Sequence, residues 1–139
     1  PLPDSPSVAL GTAGTSLLEM TAAYAAVASG RYPVAPTGLP PAGVDAGEDF
    51  TQMLFGRGGA LDERRDWRPM LDLLWASANE GTGRRAALAA PTFGKTGTSQ
   101  DYRDALFIGF AGDLVVGVWV GRDDNKSLGR NVSGGTVPA

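Results

Sequence analysis

Phe93-Gly94-Lys95-Thr96-Gly97-Thr98, then Ala105-Leu106-Phe107-Ile108-Gly109-Phe110-Ala111, then Leu114-Val115-Val116-Gly117-Val118-Trp119-Val120 is the stretch that decides the fold. Each run has the length and residue types of a strand. Gly112-Asp113 between the last two is a hairpin signal. Those two are apolar on both faces, which predicts a central, helix-covered sheet. Upstream, Ser16-Leu17-Leu18-Glu19 fits a capping box, with Ser16 at the N-cap and Glu19 three residues on. The helix it opens is predicted over Leu17 to Ser29, with Gly30 just past its end. Leu17, Met20, Tyr24 and Val27 form one stripe and most other positions are alanine, so the helix is expected to be buried. A second helix is predicted from about Asp66, with Pro69 tolerated in its first turn. Leu71, Leu74, Trp75 and Ala78 recur at helical spacing, and Gly81 ends it. A short helix is also expected over Arg84 to Ala89. Residues 31–49 are Pro- and Gly-rich and read as loop or a weak hairpin. Phe50 to Phe55 fits a short helix or strand, and Gly56-Arg57-Gly58-Gly59 breaks it. Residues 121–139 read as loop. This order gives an α+β fold, an antiparallel sheet with packed helices. The first helix lacks a polar face and the sheet has about three firm strands, so both are expected to expose apolar surface that wants further partners.

Composition narrows the chemistry. The 139 residues suit one domain or part of one, with 42% apolar and 19% charged residues, a globular balance. The net charge of −3 argues against a nucleic-acid partner. No apolar run is long enough to span a bilayer, so any membrane anchor is expected outside this chain. The opening Pro1-Leu2-Pro3-Asp4-Ser5-Pro6 lacks the features of a signal peptide. With no cysteine and no histidine, the chain has no thiol nucleophile, no Ser-His-Asp triad and no thiolate or imidazole metal site. Neither a metal nor a cofactor is expected. Asp123-Asp124-Asn125 resembles the start of a calcium loop but lacks its spaced ligands, and reads as a turn. Trp67, Trp75 and Trp119 are expected in the core.

Lys95 is the residue around which function turns. It is one of two lysines among twelve basic residues, and it sits between a glycine and hydroxyls. A lone ammonium there suits a small anionic group. One reading is the Gly-Lys-Thr end of a phosphate-binding loop. That loop must leave a strand and enter a helix, whereas here an Ala-rich stretch precedes and strand-like sequence follows. A second reading is a glycine-flanked turn carrying a surface lysine. The third is the Lys-Thr-Gly motif of the penicillin-recognising serine enzymes.

The flanks favour the third. Lys95 through Phe110 resembles the third conserved motif and following strand of penicillin-binding transpeptidases, above all the bifunctional type that also carries a glycosyltransferase domain. Ala9-Leu10-Gly11-Thr12 with Leu18 to Ala25, Gly81-Thr82-Gly83-Arg84-Arg85-Ala86, Val118 to Asp124, and Gly134 to Ala139 resemble further segments of that family in the same order. The likeness spans most of the chain, residues 31–65 being the divergent part. It implies a partial penicillin-binding/β-lactamase-like transpeptidase fold, with residues 1–139 as the C-terminal part of that domain.

The departure is as informative. The family chemistry needs Ser-x-x-Lys and Ser-x-Asn besides Lys-Thr-Gly. None of the eight serines, at 5, 7, 16, 29, 77, 99, 127 and 133, is followed by lysine three residues on. Ser77-Ala78-Asn79 matches Ser-x-Asn only formally, on the second helix. The resemblance therefore implies Lys95, Thr96, Gly97 and Thr98 as a substrate-binding strand without its nucleophile, expected inactive alone. Lys95 would hold the substrate carboxylate, Thr96 and Thr98 would supply hydroxyls, and Gly97 would let substrate backbone lie along the strand. The Thr98 N–H would be one of two oxyanion donors. The implied ligands are peptidoglycan stem peptides and β-lactams, on the periplasmic face of the bacterial inner membrane, with the rest of the transpeptidase domain as partner. A non-catalytic binding or assembly module of the same fold is the alternative. Asp101, Arg103 and Asp104 are expected to form a polar network at the strand start, and Ser99 and Gln100 to be loop.

Overall fold

The computed structural model describes residues 14–34, 59–62 and 65–139. Helix α1 spans Leu17–Ser29, strand β1 Arg31–Tyr32, strand β2 Gly59–Ala60, and helix α2 Arg68–Asn79. Strand β3 spans Phe93–Thr98, β4 Asp104–Ala111 and β5 Leu114–Gly121. The last three form an antiparallel sheet in the order β3-β4-β5, and β1 pairs with β2. The architecture is α+β, an antiparallel sheet with packed helices.

The caps explain the helix limits. The Ser16 hydroxyl accepts from the Glu19 N–H at 3.2 Å, and the Glu19 carboxylate accepts from the Ser16 N–H at 2.8 Å. Gly30 closes α1 in the left-handed region, at φ 67°. At α2, the Asp66 carboxylate accepts from the Arg68 N–H at 3.1 Å and pairs with the Arg68 guanidinium. Hydrogen bonds from Ser16, its N–H first, hold the Glu19 carboxyl below the ordinary value of 4.5. A depressed carboxyl stabilises the fold above its unfolded value and loses that contribution as pH falls through the folded one. Hydrogen-exchange protection of the first turn of α1 should therefore decline below about pH 4.5. Glu19→Gln should flatten that decline; an unchanged profile would show that the capping box does not govern this turn.

The sheet presents two faces. Phe107 pairs with Thr96 and Val118, so these share one face; Ile108 pairs with Lys95 and Gly117 on the other. Helix α1 packs on the second face, where Thr21 and Leu17 sit directly over Gly117. Helix α2 packs on β3, and Gly83 just beyond it lies against the Phe107 ring on the first face. The core is Ala26, Ala78, Ala105, Phe107, Ile108 and Phe110. Phe93 and Phe110 stack at 5.0 Å between ring centroids.

Several expectations are corrected. Helix α1 is not buried, with Ala26 alone fully inside, and its 60% exposed Leu18 is the uncovered apolar surface expected of a helix without a polar face. Strand β5 is open too, as expected of so short a sheet, with Leu114, Val116 and Trp119 exposed. Among the described residues, the three-stranded sheet and two helices do not cover both faces along their length. Trp75 and Trp119 are exposed, not core. The Trp119 indole instead donates to the Asp104 carboxylate at 3.0 Å and lies across Gly121. Trp67 is half-buried, its indole donating to the Asp62 carbonyl at 3.2 Å. No helix forms over residues 84–89. Arg84 and Ala86 N–H groups reach back to the Gly81 and Gly83 carbonyls, closing tight turns that redirect the chain into β3. Arg31 and Tyr32 pair with Ala60 and Gly59, beyond the 31–49 segment where a loop or weak hairpin was expected, and residues 35–49 lie outside the described residues. Gly59 belongs to β2, while Phe50 to Phe55, the rest of the glycine break and Ala9-Leu10-Gly11-Thr12 lie outside the described residues.

Candidate active site

Among the described residues, strand β3 carries the motif at the edge of its sheet, and its register fixes what each residue presents. The Ser99 N–H donates to the Asp104 carbonyl at 3.0 Å. Antiparallel alternation then turns the N–H and C=O groups of Lys95 and Gly97 toward β4. Those of Gly94, Thr96 and Thr98 face away from β4, along the outer edge. The Thr98 N–H is thus an outward backbone donor. Lys95 and Thr98 are exposed, whereas Gly94 is buried. The Asn79 amide donates to the Thr92 carbonyl at 2.7 Å, so α2 ties down the start of β3 and leaves the Lys95–Thr98 end accessible. That bond also gives Ser77-Ala78-Asn79 a structural role in place of a catalytic one.

Side chains of the motif divide between the two faces. Lys95 points to the α1 side and its ammonium donates to the Thr96 carbonyl at 2.9 Å, on the outer edge. It lines a pocket of about 350 Å³ with Thr15, Met20 and Tyr24. Burial pushes the Tyr24 phenol above its ordinary value, so that group is neutral beside the cation. A wider cleft of about 680 Å³ continues along Gly97, Thr98 and Leu106 to Trp119. On the other face the Thr96 and Thr82 hydroxyls are hydrogen-bonded to each other. Thr96 is half-buried, but it reaches a surface hydroxyl rather than the core. The Thr98 hydroxyl accepts from the Gly134 N–H at 3.1 Å.

Gly134 belongs to a turn within the 121–139 tail. It lies on the Gly97 and Leu106 carbonyls so closely that a Cβ there has no room. The Thr136 hydroxyl accepts from the Ser133 N–H at 2.8 Å, and Arg85 donates to the Thr136 carbonyl at 3.2 Å. Thr82, Arg85, Gly134 and Thr136 thus border the motif. Only the pairing of small residues in Gly81-Thr82-Gly83 and Gly134-Gly135 hinted at so close an approach.

The turn after β3 is held from both sides. The Asp104 N–H donates to the Ser99 hydroxyl at 2.8 Å, so Ser99 braces the turn from the loop where it was expected, while Gln100 opens a short 3-10 turn over Gln100–Tyr102. Asp101 and Tyr102 adopt positive φ, at 59° and 56°. Such conformations cost about 1–2 kcal/mol for a residue with a Cβ. The Ser127 hydroxyl on the Asp101 carbonyl, at 2.6 Å, and the Leu128 N–H on the Tyr102 carbonyl, at 2.7 Å, hold them. Arg103 pairs with Asp101 at 3.3 Å as expected, whereas the Asp104 carboxylate leaves that network for the Trp119 indole. Asp123-Asp124-Asn125 forms the expected turn, where Arg122 holds the Asp124 carboxyl well below the usual range.

The phosphate-loop reading is overturned by the same geometry. Lys95 and Thr96 lie inside a strand rather than at a helix start. The space over Gly94, where a loop glycine would admit a phosphate, is filled by the Phe107 ring.

No protein-family model matches the chain. Curated proteins do. A penicillin-binding protein 1A of Aquifex aeolicus is 39% identical over 94% of this chain. One of Neisseria gonorrhoeae is 37% identical over 98%, and one of Rickettsia conorii 30% identical over 94%. The chain spans 18% of the length of the first two relatives and 20% of the third. A likeness of 30–39% identity that extends over nearly the whole length of the chain assigns its ancestry: the chain belongs to the penicillin-binding protein family.

Proposed function

We propose that this segment is the substrate-clamping wall of a peptidoglycan D-Ala-D-Ala transpeptidase acting outside the cytoplasm. The observation that carries this is the accessible outer edge of β3, which offers the Thr98 N–H, with the Lys95 ammonium reaching the edge from one face and the Thr96 and Thr98 hydroxyls lying on the other. A peptide laid along that edge extends the sheet by backbone pairing. Its terminal carboxylate meets Lys95 and the Thr96 and Thr98 hydroxyls, by charge-assisted hydrogen bonding. A serine outside these 139 residues attacks the penultimate D-alanyl carbonyl. The developing oxyanion takes a hydrogen bond from the Thr98 N–H. The C–N bond to the terminal D-Ala breaks, D-Ala leaves as the protonated amine, and an acyl-serine remains. An amine of a neighbouring stem peptide then attacks that ester, forming the cross-link and restoring the serine. A β-lactam enters the same path and stops at the acyl-serine.

Residues 1–139 form the C-terminal part of that domain in this reading, and the Ser-x-x-Lys and Ser-x-Asn groups lie elsewhere in the protein. Fluorescent penicillin should therefore label the full-length protein covalently and leave the isolated 139-residue chain unlabelled. Labelling of the isolated chain would reveal a nucleophile within it. An unlabelled full-length protein with no Ser-x-x-Lys would favour a binding or assembly module.

A further inference from the structure

The hydroxyls of the β3 motif do not stand alone. The Thr98 hydroxyl accepts a backbone N–H, from Gly134 at 3.1 Å. An oxygen that accepts there turns its own proton elsewhere, and Thr98 is exposed. Thr96 and Thr82 share one hydrogen bond between two hydroxyls. One proton is used in it and the other is free to point outward. The arrangement therefore leaves one free hydroxyl proton at Thr98 and one in the Thr82–Thr96 pair for a ligand. Two basic side chains flank it. Arg84, Arg85 and Thr82 line a cleft of about 470 Å³ with Ser133 and Thr136, against the single acidic side chain of Glu80. Arg85 pins the turn that carries Gly134 by donating to the Thr136 carbonyl at 3.2 Å. Gly135 lies just as tightly on the Thr82 carbonyl. The 81–86 segment and the Ser133–Thr136 turn thus brace each other and, through Thr82 and Gly134, brace the two motif threonines.

We infer that Thr82 and the Ser133–Thr136 turn are positioning groups for the candidate site, holding the Thr96 and Thr98 hydroxyls as a paired donor for the carboxylate of a peptide-like ligand. This rests on the function proposed above. It adds that recognition of the carboxylate is set by a hydroxyl relay behind β3 as well as by Lys95. The relay discriminates by charge and acceptor geometry: a carboxylate accepts two hydroxyl protons at once, whereas its methyl ester lacks the charge.

The test uses the full-length protein and compares acylation by a penicillin with acylation by its methyl ester. Thr82→Val removes the hydroxyl at nearly constant shape. It should lower the acylation rate constant for the free acid about ten-fold, the scale of one hydrogen bond to a charged group, and leave the ester rate unchanged. Thr82→Ser should restore the free-acid rate. Thr136→Val, which loosens the Gly134 turn without touching β3, should show the same acid-selective loss. Equal losses for acid and ester would overturn the inference in favour of a purely structural role, as would no loss in either variant. If the unmutated full-length protein is not acylated at all, the proposed function itself fails, and this inference with it.

Discussion

Lys95→Ala in the full-length protein is expected to lower β-lactam acylation by about 10²–10³-fold, the range seen when a single electrostatic stabiliser of an acyl-transfer site is removed. Its melting temperature should stay within about a degree or two, as for other exposed positions. The asymmetry follows from what Lys95 touches. It is exposed, and its one hydrogen bond is to the carbonyl of the next residue. No packing is lost when it is truncated. What is lost is the only lysine on the sheet, aimed at the outer edge where a carboxylate would lie. Lys95→Arg should recover the rate only in part. A guanidinium keeps the charge but is a broad planar fork where the site holds a compact ammonium in a pocket of about 350 Å³. Wild-type acylation by Lys95→Ala would remove this residue from the site. A fall in melting temperature of many degrees would show that it serves the fold instead.

The elements legible in the sequence were those whose limits are set by local chemistry. Ser16, Glu19 and Gly30 bound α1 to the residue, because a capping box and a left-handed glycine act within a few positions of themselves. Strand β3 came out at its predicted limits, and β4 and β5 each extend by one residue at a polar or glycine end. Uncovered apolar surface on α1 and the sheet was legible, but not which residues would carry it. Leu18, Leu114 and Trp119 are as apolar as core residues, and nothing in their own spacing says which neighbours are present to cover them. The tail was missed for a related reason. Gly134 and Thr136 carry no strand or helix signal, and their place depends on contacts with β3 and Arg85 some 36 and 51 residues away. Lys95 and Thr98 stood out because a rare lysine beside glycine and hydroxyls is chemically unusual. Thr82 did not, since a lone threonine in a glycine-rich turn looks like any other.

The second large effect concerns the glycine that opens the motif. Gly94→Ala is expected to destabilise the protein by about 1–3 kcal/mol or more, the range for an overpacked interior, although the added methyl is the smallest possible change. A Cβ at Gly94 would lie 2.7 Å from the Phe107 ring and 2.9 Å from the Ile108 carbonyl oxygen. The same ring covers Gly109, at 2.8 Å from its notional Cβ, and reaches Gly83 at 3.4 Å. Phe107 thus rests on a floor of three glycines from β3, β4 and the turn after α2. The glycine of Gly94-Lys95 serves this packing, not a ligand. Double-mutant logic separates the two roles. Phe107→Leu alone should cost stability by leaving a void, but in the Gly94→Ala background it should relieve part of the clash. The two changes together should then cost less than their sum, with a coupling of about 0.5–3 kcal/mol, as for residues in direct contact. The relief will be incomplete, because the Ile108 carbonyl cannot move without breaking the β3–β4 ladder. Thermal unfolding of the four proteins measures the coupling. Additive costs would mean that Phe107 does not govern the glycine, and that Gly94 is kept for a ligand after all.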